Sequence, residues 1–120
     1  MGKIAVMGAG AVGCYYGALL AQAGEQVTLI GRPALVLAVA EHGLLLEKGG
    51  QTVAVPLTAT DSPAGVTGAE IVIIAVKSGD TGQAARQIAP HLAPGATILS
   101  LQNGISNGET LSAALNRPAI

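Results

Sequence analysis

The residues Lys3-Ile4-Ala5-Val6-Met7-Gly8-Ala9-Gly10-Ala11-Val12-Gly13 constrain this chain more than any other stretch. An apolar run leads directly into glycines spaced G-x-G-x-x-G. A small-residue segment follows, then a second apolar run, Val27-Thr28-Leu29-Ile30, ending on Gly31-Arg32. This order predicts a strand, a tight loop, a helix and a second strand. In the dinucleotide fingerprint of this spacing, one glycine permits the turn, another lets a pyrophosphate approach the backbone, and the third lets the helix pack close to the strand. Taken alone the spacing is a weak signal. The strand before it and the helix after it supply the context that the fingerprint requires.

The 120 residues make one domain, large enough to bury a core of its own. Half of them are hydrophobic but only 2% are aromatic, with no Trp or Phe, so Ala, Val, Leu and Ile must fill the interior. Such residues suit parallel strands covered on both faces. A net charge of -1 argues against a basic surface for nucleic acid. Cys14 is the single cysteine, which excludes an internal disulfide and fits a reducing compartment. With a strand starting at the third residue there is no room for a secretory signal. The apolar runs break well before the roughly 20 residues of a bilayer span. The expectation is a cytoplasmic protein with no membrane or nucleic-acid partner.

Along the chain, Ala11 to Ala23 reads as a helix with Gly24 as its stop. Gly17 within it costs about 1 kcal/mol of helix propensity and needs a packing reason, such as close contact with the sheet. Pro33 to Glu41 reads as a short helix stopped by Gly43. Leu44 to Glu47 and Thr52 to Val55, joined by Lys48-Gly49-Gly50-Gln51, read as a hairpin embellishing the usual third-strand region. Asp61-Ser62-Pro63 reads as a turn, and Ile71 to Val76 as a central parallel strand. Asp80 or Thr81 can cap a helix through Ala84, Ala85, Ile88 and Ala89, ended by Pro90 and Pro94-Gly95. Thr97 to Leu101 is the next strand, Gln102-Asn103-Gly104 its exit turn, and Asn107 to Leu115 a last helix. The alternation predicts an α/β fold: a Rossmann-like, doubly wound, mostly parallel sheet with an inserted hairpin, residues 1–120 forming one dinucleotide-binding domain. Another strand is expected where the chain stops, and an open apolar edge there favours self-association.

The loop of Gly8, Ala9, Gly10, Ala11, Val12 and Gly13, with the free amides at the helix N-terminus, is the expected pyrophosphate site. At the end of the second strand, where NAD enzymes place an acid on the ribose, stand Gly31 and Arg32. Gly31 leaves room for a 2′-phosphate and Arg32 offers it a fork of donors, so NADP(H) is favoured over NAD. Lys77 directly follows the central strand, at the sheet's carboxyl edge. Its position alone balances evenly between contact with a phosphate or carboxylate and an ordinary exposed Lys. Asn103 is balanced in the same way between bonding a ribose or carbonyl and serving an Asn-Gly turn. Cys14 sits at a helix N-terminus, which can lower a thiol pKa, yet it reads as a small buried packing residue. His42 and His91 read as surface or capping groups, and Glu109 as a carboxylate favoured by its helix dipole. No cluster has metal-ligand spacing, and no Ser occupies a nucleophile elbow.

Gly8 to Gly13 followed by Tyr15-Tyr16-Gly17, then Gly31-Arg32, then Ala75-Val76-Lys77, then Leu101-Gln102-Asn103-Gly104-Ile105 closely resemble the ketopantoate reductase (2-dehydropantoate 2-reductase) family. The resemblance covers the whole chain in order. It implies NADPH-dependent reduction of 2-dehydropantoate, a small 2-keto acid, to pantoate in cytoplasmic pantothenate and coenzyme A synthesis. It implies that Lys77 and Asn103 contact the cofactor, with Asn103 also close to substrate. It further implies a helical second domain, absent from these 120 residues, that supplies the general-acid Lys, so no catalytic residue is expected here. The alternatives are a reductase of another 2-keto acid and an NADP(H)-binding sensing or interaction module without catalysis.

Overall fold

The computed structural model describes residues 2–101 and Leu115. Among residues 2–101, seven strands and three α-helices follow one another as β1 (Lys3–Met7), α1 (Ala11–Gln22), β2 (Gln26–Ile30), α2 (Pro33–His42), β3 (Leu44–Lys48), β4 (Gln51–Val55), β5 (Thr58–Thr60), β6 (Ala69–Ile74), α3 (Thr81–Ile88) and β7 (Thr97–Ser100). Five strands form one parallel sheet in the order β5-β2-β1-β6-β7. β3 and β4 stand apart as an antiparallel pair.

The pleat explains why the strands read as unbroken apolar runs. In β1, Ile4 and Val6 belong to one core and Ala5 and Met7 to the other. In β6, Ile73 faces the first core, and Val72 and Ile74 the second. The first core is closed by Ala18 of α1, Val39 of α2 and Leu44, Leu46 and Val55 of the hairpin. The second is closed by Ala84, Ala85 and Ile88 of α3, with Val66 and Leu115. With both faces covered, alternate residues have no polar side to face.

Local chemistry sets the ends of the elements. Past α1, the amide of Glu25 donates to Leu20 O and that of Gly24 to Ala21 O, each at 3.1 Å. This is a Schellman closure, and Gly24 takes the φ of +97° that it needs. Pro33 occupies the first turn of α2. Gly17 has the packing reason expected of it: a Cβ there would meet Leu29 Cδ2 at 2.7 Å, so the glycine sets how near α1 lies to the sheet.

The architecture agrees with the expected doubly wound sheet and inserted hairpin, and two details differ. The third parallel strand is β5, a Thr-Ala-Thr segment outside the hairpin, too short and too polar to stand out in the sequence. The central strand stops at Ile74 instead of Val76. The amide of Ala75 still donates to Met7 O at 2.8 Å, but beyond it the chain peels away where the glycine loop crosses Val76. Lys77 therefore lies three residues past the strand and not directly after it. The expected exit turn with Asn103 and Gly104, and Glu109, lie outside the described residues. Of the expected last helix, Leu115 is helical and buried.

Candidate functional site

β1 sends its connection to β2 on one side, and β6 sends its own to β7 on the other. Loops leaving such a switch point diverge, and open α/β sheets bind ligands in the crevice between them. A cleft of about 730 Å³ opens there, lined by Gly8, Ala9, Gly10, Arg32, Val76 and Lys77 among others. A depression of about 470 Å³ lies at the opposite edge of the sheet, between the starts of β6 and β7. Among the described residues Glu70 is the one charged group that lines it.

The three motif glycines differ in what requires them. Gly8 has a φ of +102°, and a Cβ on it would sit 2.6 Å from Val76 N. Its amide donates to Ile30 O at 3.1 Å, tying the loop to β2. A Cβ on Gly13 would collide with the Gly8 carbonyl oxygen and press on Val6 Cγ1 at 3.2 Å. Gly10 is different, since a Cβ there would meet nothing within 4 Å. Its φ of -77° and ψ of -168° suit any residue. Nothing in the chain's own packing requires glycine at position 10, and the open space above it faces the cleft.

α1 begins directly behind this loop. Its first helical bond is Cys14 N to Gly10 O at 2.9 Å, so the amides of Ala11, Val12 and Gly13 precede the bonded ladder. No side chain caps this end and no acid stands in the first turn. The positive end of the helix dipole therefore meets the cleft without a compensating side chain from its own cap or first turn.

Arg32 is the N-cap residue of α2 and is exposed, as is Lys77 across the cleft. Among the described residues the ion pair is between His42 and Glu41, at 3.5 Å on the surface, and neither Arg32 nor Lys77 takes part in one. Gly31 does not leave its space to a phosphate: a Cβ there would meet Ala9 Cβ at 2.7 Å and Leu35 Cδ2 at 2.9 Å. It makes room for the loop itself. The structure thus brings Gly8, Ala9, Gly10, Arg32 and Lys77 around one crevice, with Ala11, Val12 and Gly13 following in the first turn of α1 behind it, while Asn103 lies outside the described residues.

Two cleft residues escaped sequence reasoning. Asp61, just past β5, and Asp80, the N-cap residue of α3, both line the crevice. They read as turn and cap residues, but Asp80 makes no capping hydrogen bond. Their place at the carboxyl ends of β5 and β6 was the available signal. Cys14 is half-buried and its Sγ donates to Ala9 O at 3.2 Å. Burial raises its pKa, so the helix N-terminus does not make it a reactive thiolate. His42 and His91 are exposed at helix ends. Among the described residues no three His, Cys, Asp or Glu side chains are grouped to hold a metal ion. None of the described helices is long and apolar enough to cross a membrane.

A family model described as ketopantoate reductase PanE/ApbA matches residues 4–120. The chain is 39% identical over 114 residues to a 2-dehydropantoate 2-reductase of Pyrococcus abyssi, covering 91% of this chain and 35% of that protein. A PanE/ApbA family ketopantoate reductase from Ralstonia eutropha JMP134 superposes with a TM-score of 0.94 at 48% identity, over 98% of this chain and 39% of that one. D-mandelate dehydrogenase, solved with NADH and anilino(oxo)acetate, superposes at 0.84 with 29% identity, over 94% of this chain and 37% of that one. The chain therefore spans little more than a third of the length of the proteins it matches.

Proposed function

The chain belongs to the ketopantoate reductase PanE/ApbA family, and on that footing we propose that it is the NADP(H)-binding part of an enzyme that reduces 2-dehydropantoate to pantoate. The observation that carries the cofactor reading is the open space over Gly10. A Cβ would fill it, and it lies on the cleft beside the uncapped start of α1. In this reading Gly8, Ala9 and Gly10 bring the backbone against the pyrophosphate, and the amides of Ala11, Val12 and Gly13 donate to it. Arg32 holds the 2′-phosphate in a planar fork, and Lys77 adds a second cation across the cleft. Asn103 contacts both cofactor and substrate, as the family resemblance implies.

The bound cofactor supplies the hydride that reduces the keto carbon. The alkoxide that develops there needs a proton, and the resemblance assigns its donor, a Lys, to the part of the relatives that this chain does not span. Positioned acid catalysis is worth about 10²- to 10⁴-fold, so these residues alone bind the cofactor and turn over poorly. Pantothenate and coenzyme A synthesis in the cytoplasm is the setting that this reading gives. Likeness to D-mandelate dehydrogenase favours, as the second reading, a reductase of another 2-keto acid.

Calorimetric titration with NADPH and NADH tests the assignment. NADPH is expected to bind more tightly, and Arg32→Gln to remove about a tenfold advantage, the low end for an exposed charge-assisted contact. Equal affinity for the two cofactors overturns the NADP(H) preference, and no binding of either overturns the site. Robust reduction of ketopantoate by these 120 residues overturns the assignment of the proton donor elsewhere.

A further inference from the structure

Position 31, the first past β2, cannot carry the acid that NAD enzymes place near there on the ribose. A Cβ on Gly31 would meet Ala9 Cβ at 2.7 Å and Leu35 Cδ2 at 2.9 Å, so a carboxylate side chain would displace the glycine loop. The neighbouring strand supplies an acid instead. β5 pairs with β2 in parallel, with Thr60 opposite Ile30, and the Gly31 amide donates to Thr60 O at 2.9 Å. Asp61 follows Thr60 as Gly31 follows Ile30. It leaves the sheet one strand spacing, about 4.8 Å, from where an acid on β2 would stand. The local turn does not use its carboxylate. Thr60 Oγ1 accepts from Ser62 N at 3.1 Å, and Ser62 Oγ accepts from Ala64 N at 3.2 Å as the cap of the turn Pro63–Val66. Among the described residues the Asp61 side chain has no hydrogen bond or ion pair, and it lines the same cleft as Arg32.

We propose that Asp61 is a second determinant of cofactor preference, acting against Arg32: its carboxylate accepts from the ribose 2′-hydroxyl of NADH and repels the 2′-phosphate of NADPH. The proposal rests on the cofactor reading above and deepens it. A hydroxyl can donate to a carboxylate in a charge-assisted bond. A phosphate on the same carbon brings negative charge and acceptor oxygens, so the same carboxylate opposes it. Arg32 gives the reverse contrast, since its fork of donors matches a phosphate better than a hydroxyl. The two side chains line one cleft without forming an ion pair with each other, so neither charge is cancelled by contact. The advantage of NADPH is therefore smaller than Arg32 alone would give. Asp80 also lines the cleft, but on the β6 side, at the start of α3. It carries the same charge without standing beside β2, which makes it the control.

The test is calorimetric titration of the 120-residue chain and its variants with NADPH and with NADH. Asp61→Asn keeps the size of the side chain and removes its charge. It is expected to bind NADPH about threefold tighter and NADH about threefold more weakly, shifts within the range of single exposed charge contacts. The preference then moves toward NADPH by about tenfold. Asp61→Glu keeps the charge and should stay within about twofold of the parent ratio, as should Asp80→Asn. An unchanged ratio in Asp61→Asn, with both cofactors still bound, overturns this proposal alone. An equal shift in Asp80→Asn also overturns it, because the total charge of the cleft is then the cause. So does a shift in Asp61→Glu as large as in Asp61→Asn, since loss of charge is then not responsible. No binding of either cofactor to the parent chain overturns the cofactor reading and this proposal together. Should Asp61→Asn not fold, Asp61→Ser is titrated in its place with the same expected direction and the same overturning results.

Discussion

Gly10 and Gly13 stand three residues apart in one motif and are glycine for opposite reasons. At Gly13 a methyl group would strike the Gly8 carbonyl, which cannot rotate away as a side chain would. Gly13→Ala is therefore expected to lower stability by about 1–3 kcal/mol, outweighing the roughly 1 kcal/mol that Ala gains in a helix. The shift should appear as a lower urea midpoint at constant slope. At Gly10 the methyl group meets open space, so Gly10→Ala is expected to stay within about 1 kcal/mol of the parent, a stiffer unfolded chain offsetting a poorer N-cap. Its NADPH affinity should nonetheless fall by about tenfold or more, equivalent to 1.4 kcal/mol. Cys14 gives a pH-dependent outcome. Because burial raises its pKa above the ordinary 9.0, iodoacetamide should alkylate it slowly at neutral pH, with a rate that climbs only at higher pH. The sign for stability follows: the folded state holds this proton more tightly, so its contribution is present below the unfolded pKa and is lost as pH rises through the folded one. An alkylation midpoint below 9.0 would contradict the burial account.

The hairpin of β3 and β4 lies outside the five-stranded sheet yet is bound to its core by one face. Leu46 is 5% exposed and packs with the α1 side of the sheet, whereas its neighbour Leu45 is 59% exposed. Leu46→Ala is expected to destabilise the domain by about 2–5 kcal/mol, while Leu45→Thr should change it by no more than about 0.5 kcal/mol. Similar losses at both positions in chemical unfolding would mean that the hairpin is not docked as described. This element was legible in the sequence because its two runs flank a Gly-Gly turn, a signal contained within twelve residues from Leu44 to Val55. β5 was not legible, since its three residues become a strand only by pairing with Thr28, Leu29 and Ile30.

At the scale of the whole molecule, ligand that binds only the folded state adds to its stability by mass action. NADPH at a hundred times its Kd should contribute about 2.7 kcal/mol, which for a domain of this size raises Tm by about 10 °C. Scanning calorimetry with NADPH, NADH and Arg32→Gln checks this, and an unchanged Tm with NADPH contradicts the site. The sequence by itself determined the order of the helices and of every strand but β5, the glycine loop between β1 and α1, and the positions of Arg32 and Lys77 past the ends of β2 and β6. All of these rest on periodicity, turn chemistry and spacing, which act between residues close along the chain. Tertiary structure alone decided that Val76 fills the space beside Gly8 and turns the chain away after Ala75. It also gave Gly31's space to Ala9 and Leu35, and brought Asp61 and Asp80 to the cleft. Those outcomes depend on which distant backbones meet at the sheet's carboxyl edge, and contacts between residues far apart in sequence leave no local pattern to read.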